Sequence, residues 1–293
     1  MDKLRPAIVH AHFEGGGIAA MPLARRFRVP LVVTCHGWDV TVEDQFRMPN
    51  ALLRAWYQNR RRRLQQAGAV FIAVSAHIRN CMLRLGYPET RTVVHRIGVD
   101  CAKFTGDASV PREPIVLFVA RLVEKKGCAD LIEAMNIAHS GARLVIIGDG
   151  PLRGRLEALA KARYPETEFL GRQSPEEVRQ WMARARVLCV PTIRAANGNT
   201  DGCPMVFAEA QAMGLPVVSY ANGGTVEAVI SGRTGLLAAD RDTTGLAAAI
   251  NQLVHPSVFW DELSRAGRAH ALEKFDIVQQ TAELEKIYDG ARQ

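Results

Sequence analysis

Residues 115–138 read IVLFVARLVEKKGCADLIEAMNIA, and this stretch decides how the rest of the chain is interpreted. An apolar, β-branched run at Ile115–Ala120 is followed by a charged loop and then by a helical pattern at Ala129–Ala138. A strand that is apolar at nearly every position is typical of a parallel sheet with both faces covered. The stretch therefore predicts one strand–loop–helix unit of an α/β protein.

The same alternation extends in both directions along the 293 residues. Further apolar runs predict strands at Ala7–His12, Pro30–Cys35, Ala69–Val74, Thr92–Ile97, Arg143–Ile147, Arg186–Pro191, Pro216–Tyr220 and Gly235–Ala238. Helical patterns separate them at Ile18–Arg26, Ala51–Ala67, Ala76–Leu85, Leu152–Ala162, Pro175–Ala185, Met205–Met213 and Thr244–Val254. Strands that alternate with helices predict parallel sheets with right-handed crossovers.

The length predicts two domains, because a domain usually holds about 100–200 residues. The linker-like stretch near the middle is Gly106–Pro114, so we place the boundary there, with domains at 1–108 and 109–293. The second is expected to be a complete α/β domain of about six strands. The first has only four predicted strands, which is few for a Rossmann-type domain.

Composition and charge exclude several classes of protein. With 48% hydrophobic and 23% charged residues, the chain is neither disordered nor collagen-like. It has no run of about eighteen apolar residues and no secretory signal at Met1–His12. The cysteines are scattered without metal-binding spacing, which predicts reduced thiols, a cytoplasmic location and no metal site.

The net charge of +7 favours anionic partners such as phosphates, nucleic acid or an acidic membrane surface. Nucleic acid is not expected, because no basic stretch is interleaved with aromatic residues. Four arginines at Arg60–Arg63 lie in the predicted helix Ala51–Ala67. They are interpreted either as a solvated face or as a peripheral contact with an anionic inner membrane face.

A glycine-rich cluster follows the first predicted strand. Gly15, Gly17 and Ala20 match the pattern G-x-G-x-x-A, and Asp39 lies about twenty residues further on, as in dinucleotide-binding proteins. A flexible strand-to-helix turn explains the same residues. A second cluster, Gly148–Pro151, is explained by turn geometry alone.

Two cations flank the loop after the strand Ile115–Ala120. Arg121 and Lys126 stand on either side of a turn that opens a helix, where anions are attracted. Two fixed cations beside a helix start predict a diphosphate site, although a solvated charged loop would have the same sequence.

Two carboxylates are separated by seven residues, with Asp201 in a loop and Glu209 two turns into the helix Met205–Met213. Gly202 and Cys203 would offer backbone N–H groups at that helix start. A carboxylate on an apolar helix is costly unless it has partners, and sugar or ribose hydroxyls are suitable ones. A hydrogen-bonded structural acid is the alternative interpretation of Glu209.

His36 follows the second predicted strand, at the carboxyl end where ligand sites of α/β proteins collect. A structural role is the alternative interpretation, and the more common one for a single histidine. His10 and His12 alternate on the first predicted strand, and we interpret them as strand residues rather than metal ligands.

Taken together, Arg121, Lys126, Asp201 and Glu209 resemble the retaining glycosyltransferase family 4, which has the GT-B fold. Phe118–Gly127 resembles the phosphate loop of that family, and Asp201–Glu209 resembles its E-x7-E motif. Matches continue at 214–218, 223–229, 232–237, 9–13, 34–39, 74–75 and 97–100. The likeness covers nearly the whole chain and is closest to members that build bacterial exopolysaccharide, capsule or lipopolysaccharide.

The resemblance implies an α/β protein of two Rossmann-like parallel-sheet domains. It also implies a hexosyltransferase that moves a sugar from a nucleoside-diphosphate-sugar to a glycan or lipid-linked glycan, with retention at the anomeric carbon and without a metal or cofactor. Arg121 and Lys126 would hold the diphosphate, Glu209 the ribose and Asp201 the donor sugar, while His36 would reach that sugar from the first domain. The backbone of Gly202, Cys203, Pro204 and Met205 would approach the sugar and phosphate.

Two features depart from the family pattern. The first acid of the motif is Asp201, one methylene shorter than glutamate. The shorter side chain changes the expected contacts with the hydroxyls of the donor sugar. Family members carry more residues before the strand matching Ala7–His12, so the first domain is expected to be incomplete. The last helix, at about 277–292, resembles a family helix that crosses back to the first domain.

Two other functions are also consistent with the sequence. A nicotinamide-dependent oxidoreductase explains the cluster at Gly15–Ala20 and Asp39, but not Arg121, Lys126 and the two carboxylates. A donor-binding but catalytically incomplete partner subunit or fragment follows from the shortened first domain.

Overall fold

A computed structural model of the chain describes residues 5–106 and 109–292. The strands are β1 (Val9–His12), β2 (Leu31–Cys35), β3 (Val70–Ala73), β4 (Thr92–Val94), β5 (Ile115–Val119), β6 (Arg143–Ile147), β7 (Thr167–Gly171), β8 (Val187–Cys189), β9 (Val217–Tyr220) and β10 (Gly235–Ala238).

The helices alternate with these strands. They are α1 (Phe13–Phe27), α2 (Trp38–Thr41), α3 (Asp44–Arg47), α4 (Ala51–Gln65), α5 (Ala76–Arg84), α6 (Cys128–Ala138), α7 (Arg153–Arg163), α8 (Pro175–Arg184), α9 (Met205–Ala212), α10 (Thr225–Ala228), α11 (Thr243–Leu253), α12 (Val258–Lys274) and α13 (Ile277–Arg292). Short 3-10 turns occupy Glu89–Arg91 and Glu124–Lys126.

The chain forms two compact units, each assembled from separate segments. The first unit comprises Met1–Gly98, Ala196–Cys203 and Val278–Gln293, and the second comprises Val99–Ala195 and Pro204–Ile277. The predicted boundary between residues 108 and 109 touches residues outside the described ones, whereas the division between units falls after Gly98.

The first unit contains a parallel sheet in the order β1-β2-β3-β4. Every residue of β2 is buried, as expected for a strand covered on both faces. Helix α13 belongs to this unit, where the hydroxyl of Tyr288 hydrogen-bonds Nδ1 of His10 at 2.6 Å. Nε2 of His95 donates to the carbonyl of Gln280 at 2.8 Å.

The second unit contains a parallel sheet in the order β10-β9-β8-β5-β6-β7. The strand order reverses between β5 and β8, which are hydrogen-bonded neighbours. Ligands of open α/β sheets bind outside the carboxyl ends of the strands at such a reversal. Both sheets are parallel and their strands alternate with helices, so the predicted α/β class with two parallel sheets is confirmed.

Besides the four-residue helices α2, α3 and α10, two longer elements were not predicted, for identifiable reasons. Strand β7 lies at the edge of its sheet and is only partly buried, so its sequence TEFLG lacks a long apolar run. Helix α12 carries charges along most of its length and buries only a few side chains, Trp260 and Leu263 among them.

Arg112, in the described part of the predicted linker, is fixed to the second unit. The guanidinium of Arg112 donates to the carbonyls of Met182, Ala185 and Met213 at 3.0, 2.7 and 2.9 Å. Burial and the neighbouring Arg186 lower the pKa of Arg112 to about 10. Across residues 5–106 and 109–292, no helix has both the length and the apolar character needed for a membrane span.

Candidate functional site

The loops after β5 and β8 meet where the strand order of the second unit reverses. The N–H of Ile193 donates to the carbonyl of Lys125 at 2.9 Å. Gly127 has a left-handed φ of 66°, and a Cβ there would overlap the carbonyl oxygen of Pro191. Only glycine therefore allows the loop that carries Arg121 and Lys126 to approach the loop after β8.

The glycines after β6 serve the same loop. A Cβ on Gly148 would overlap the carbonyl of Ala120, and one on Gly150 would overlap the carbonyl of Leu122. The N–H of Leu122 also donates to the carbonyl of Asp149 at 3.0 Å. The cluster Gly148–Pro151 is thus more than a turn, because it holds the loop after β5 in place.

Arg121 and Lys126 lie around this constrained loop. Arg121 is exposed and makes no hydrogen bond or ion pair with the described part of the chain. Lys126 is half-buried at the end of the 3-10 turn, and α6 begins at Cys128 after Gly127, which gives the helix no side-chain cap. An uncapped helix start beside two cations suits an anionic ligand.

Glu209 lies on α9, the helix that follows the loop after β8. Its carboxylate is half-buried, and burial raises its pKa. Within residues 5–106 and 109–292 it forms no hydrogen bond or ion pair. This disfavours the interpretation of Glu209 as a hydrogen-bonded structural acid, because its partial desolvation is not compensated by protein groups.

His36 and the segment around Asp201 are brought together in the first unit. A Cβ on Gly202 would lie 2.7 Å from the carbonyl oxygen of His36, and Gly37 has a φ of 134° that favours glycine. The segment Ala196–Cys203 therefore lies directly against the loop after β2. Asp201 is buried there, with 7% of its surface exposed.

The predicted site residues consequently divide between the two units. His36, Asp201, Gly202 and Cys203 belong to the first unit, whereas Arg121, Lys126, Pro204, Met205 and Glu209 belong to the second. From the sequence we expected Asp201, Gly202 and Cys203 in the second domain. The difference arises because the chain returns to the first unit for only eight residues, Ala196–Cys203.

The residues of the dinucleotide pattern have structural roles. The carboxylate of Asp39 is buried and accepts the N–H groups of Glu14, His36 and Gly37 at 3.1, 3.2 and 3.0 Å. It is therefore not available to ribose hydroxyls, and it fixes the loop that carries His36. The interpretation as a nicotinamide-dependent oxidoreductase therefore loses Asp39, the acidic residue on which it depended.

The glycines of that pattern lie inside α1 rather than in a turn, since the helix begins at Phe13. A Cβ on Gly17 would lie 2.8 Å from Val33 Cγ1 and 3.0 Å from Leu64 Cδ2. Glycine here lets α1 pack closely on β2 and α4, so these glycines lie in a packed helix and not in the predicted strand-to-helix turn.

His36 contacts the ring of His12, a neighbour that was not predicted from the sequence. Nδ1 of His12 lies 2.9 Å from Nε2 of His36, and burial lowers the pKa of His36, as does His12, against the opposing effect of Asp39. The H-x-H alternation on the first strand, together with a histidine directly after the second strand, was the available signal. In the described ranges, no group of three or more His, Cys, Asp or Glu is arranged to hold a metal ion.

One member of the arginine run Arg60–Arg63 is buried. Arg61 is 5% exposed, and it donates from Nε to Glu14 at 2.6 Å and from Nη2 to Asp44 at 2.7 Å. Arg47 completes the buried ion network, 3.8 Å from Glu14. The interpretation of Arg60–Arg63 as four surface cations is therefore wrong at Arg61.

Two family models match the chain. One, described as Glycosyltransferase Family 4, matches residues 1–103, and the other, described as Glycosyl transferases group 1, matches residues 113–255. Together the two matches cover the strands β1–β4 and the loops after β5 and β8.

Curated relatives agree with these matches. The chain is 30% identical over 249 residues to the putative colanic acid biosynthesis glycosyltransferase WcaL of Salmonella typhimurium, with 82% of this chain and 59% of the relative covered. It is 29% identical over 296 residues to a glycogen synthase of Mycobacterium tuberculosis, covering 98% and 70%. The chain spans 59% and 62% of the WcaL proteins of Salmonella typhimurium and Escherichia coli.

Solved structures share the fold. Anabaena Alr3699/HepE, solved in complex with UDP, has a TM-score of 0.84 at 20% identity, covering 97% of this chain and 78% of that one. Sucrose-phosphate synthase from Thermosynechococcus elongatus has a TM-score of 0.80 at 22% identity, covering 97% and 73%. With two parallel-sheet units and these family matches, the chain belongs to the glycosyltransferases of family 4 and group 1, with the GT-B fold.

Proposed function

We propose that the chain transfers a sugar from a nucleoside-diphosphate-sugar to a glycan or lipid-linked glycan, with retention of configuration at the anomeric carbon. The observation that carries this proposal is Glu209, a half-buried carboxylate without a partner among the described residues. Glu209 lies on the helix after the β8 loop, and that loop is hydrogen-bonded to the loop carrying Arg121 and Lys126. A carboxylate in the same unit as these two cations suits a ligand that offers both hydroxyls and phosphates.

Each predicted residue has a part in this reaction. Arg121 and Lys126 hold the diphosphate and stabilise its negative charge as its bond to the sugar breaks. Glu209 binds the ribose hydroxyls. Asp201 and His36 bind the donor sugar. The backbone at Gly202, Cys203, Pro204 and Met205 approaches the sugar and phosphate.

UDP-glucose is the donor to test first, because Anabaena Alr3699/HepE was solved in complex with UDP-glucose. Incubation of the chain with UDP-glucose and a polysaccharide acceptor would be followed by release of UDP and by the anomeric configuration of the product. A product with inverted configuration would contradict the retaining mechanism.

Glu209→Gln is expected to weaken UDP binding about five- to tenfold. Glutamine still reaches the ribose hydroxyls, so the loss is the difference between charge-assisted and neutral hydrogen bonds, ~1–1.5 kcal/mol. The melting temperature should not fall, because no protein partner is removed. Isothermal titration and thermal unfolding on one preparation measure both quantities.

The matched control for Glu209→Gln is Glu262→Gln, a change of the same type at an exposed position on α12. It should alter neither quantity. A lower melting temperature with unchanged UDP affinity in Glu209→Gln would restore the structural interpretation of this acid.

A donor-binding but catalytically incomplete partner subunit or fragment is the second candidate function. UDP binding without turnover of UDP-glucose, at any acceptor tested, is the result that this candidate predicts. Turnover by the chain alone would exclude it.

Peripheral contact with an anionic membrane on its cytoplasmic face is supported by an exposed surface of the first unit. Large apolar side chains are exposed in one stretch, with Leu52 at 83% and Trp56 at 52%. The others are Trp38, Phe46 and Leu53. Basic residues accompany them on α4, where the Arg60 guanidinium lies 5.2 Å from the centre of the Trp56 ring. Together these side chains form what we call the aromatic–arginine surface: Trp38, Phe46, Leu52, Leu53, Trp56, Arg60, Arg62 and Arg63.

Membrane attachment through the aromatic–arginine surface is expected to need anionic lipid and to weaken with salt. Changing Arg60, Arg62 and Arg63 to glutamine, with Arg61 retained, should remove about 1 kcal/mol per cation. Sedimentation with phosphatidylserine vesicles measures the effect.

The same charge change at Arg155, Arg233 and Arg265, all exposed and in the second unit, is the control for this experiment. Binding to neutral vesicles that salt does not reverse would contradict electrostatic attachment.

A further inference from the structure

Three histidine rings lie in contact at the carboxyl ends of β1 and β2. His10 and His12 stand on β1, with His12 opposite Thr34 of β2, and His36 directly follows β2. The rings of His10 and His12 stack with centroids 4.7 Å apart, and those of His12 and His36 lie 5.1 Å apart. His36 is therefore in direct contact with a side chain from the neighbouring strand.

The contact between His12 and His36 is a hydrogen bond between ring nitrogens. At 2.9 Å, Nδ1 of His12 and Nε2 of His36 need one proton between them, so one nitrogen donates and the other accepts. Whichever donates, the bond fixes one tautomer of the neutral His36 ring. Within the described residues, Nδ1 of His36 makes no hydrogen bond.

His12 is itself held in place. The His10 ring beneath it is fixed by Tyr288 at Nδ1, 2.6 Å away, and by Thr34 at Nε2, 2.7 Å away. Burial, with the nearby His12, His36 and His95, lowers the pKa of His10 to about 4, so His10 adds no charge near pH 7. The His12 ring thus stacks on a neutral, immobilised neighbour.

The residue after His12 contacts the same ring. Phe13 has a φ of 63°, a left-handed conformation that is unfavourable for a residue with a bulky side chain. In this conformation its ring lies 4.8 Å from the His36 ring. Two consecutive residues therefore constrain His36 from the side of β1.

We propose that His12 is a positioning residue, which orients the His36 imidazole, fixes its tautomer and leaves Nδ1 as the nitrogen that meets the donor sugar. The part concerning the sugar rests on the proposed function. The part concerning the His36 tautomer concerns the protein alone, so it can be tested without a substrate.

His12→Phe and His12→Asn separate the hydrogen bond from simple packing. Phenylalanine keeps an aromatic ring against His10 but has no nitrogen, whereas the asparagine amide places a polar group near the position of Nδ1. Because His12 is exposed, both variants should fold. Ring ¹⁵N shifts of His36 at pH 8, assigned with His36→Gln, are expected to change from one tautomer to an average of two in His12→Phe. Unchanged His36 shifts in that variant would overturn the proposal.

Turnover of UDP-glucose gives the second readout. His12→Phe should reduce kcat about 10–100-fold, the range for a misplaced reacting group, with the affinity for UDP unchanged, and His12→Asn should recover most of the loss. Equal losses in both folded variants would also overturn the proposal. If the unchanged protein neither binds UDP nor uses UDP-glucose, the proposed function fails, while the His36 ring shifts still decide the role of His12.

Discussion

Arg61→Ala is expected to destabilise the protein by about 3–5 kcal/mol, the usual cost of removing one partner from a buried ion pair. The guanidinium contacts both Glu14 and Asp44. Its removal leaves the Glu14 carboxylate fully buried, where burial already raises its pKa in spite of Arg61. Urea denaturation of the full chain, followed by circular dichroism, measures the change in the free energy of unfolding.

Arg62→Ala is the matched control, since Arg62 is the next residue of α4 and is exposed. Its effect should stay within about 0.5 kcal/mol. Similar losses in the two variants would show that the ion network does not stabilise the first unit beyond an ordinary surface contact.

Arg121→Ala and Lys126→Ala are each expected to weaken UDP binding by ~1.5–3 kcal/mol, the range for hydrogen bonds to charged groups. This corresponds to a loss of about 10–150-fold in affinity, and the double variant should lose more than either. Arg121→Ala should leave the melting temperature unchanged, because its side chain is exposed and has no partner among the described residues. Isothermal titration with UDP and GDP is the measurement.

Lys161→Ala removes an exposed cation from α7 in the same unit and serves as the control for net charge. It should not alter nucleotide affinity. If both loop variants bind UDP and GDP as tightly as the unchanged protein, the diphosphate site is not at Arg121 and Lys126.

The fold could be predicted because its strands carry a local signal. Residues of β5 are apolar in succession since both sheet faces are covered, and this pattern is visible without knowing any partner. Strand β7 lacked that signal because it lies at a sheet edge. The loop that we propose for the diphosphate was also visible, because its cations Arg121 and Lys126 stand close together in the sequence.

Other features depend on partners that are distant in the sequence. Arg61 looks like its three neighbours, yet it is paired with Glu14, 47 residues earlier. Its position three residues before the buried Leu64 was the available clue, because residues three apart share a helix face. The role of Asp39 gave no such clue, since its partners are backbone N–H groups.

The division of the chain also has a consequence for synthesis on the ribosome. The second unit ends at Ile277, whereas the first still needs α13 and its hydrogen bond from Tyr288 to His10. Domains usually fold in the order in which they emerge. Here the half that begins first is finished last, so nascent chains present an unfinished amino-terminal half throughout translation of the second unit.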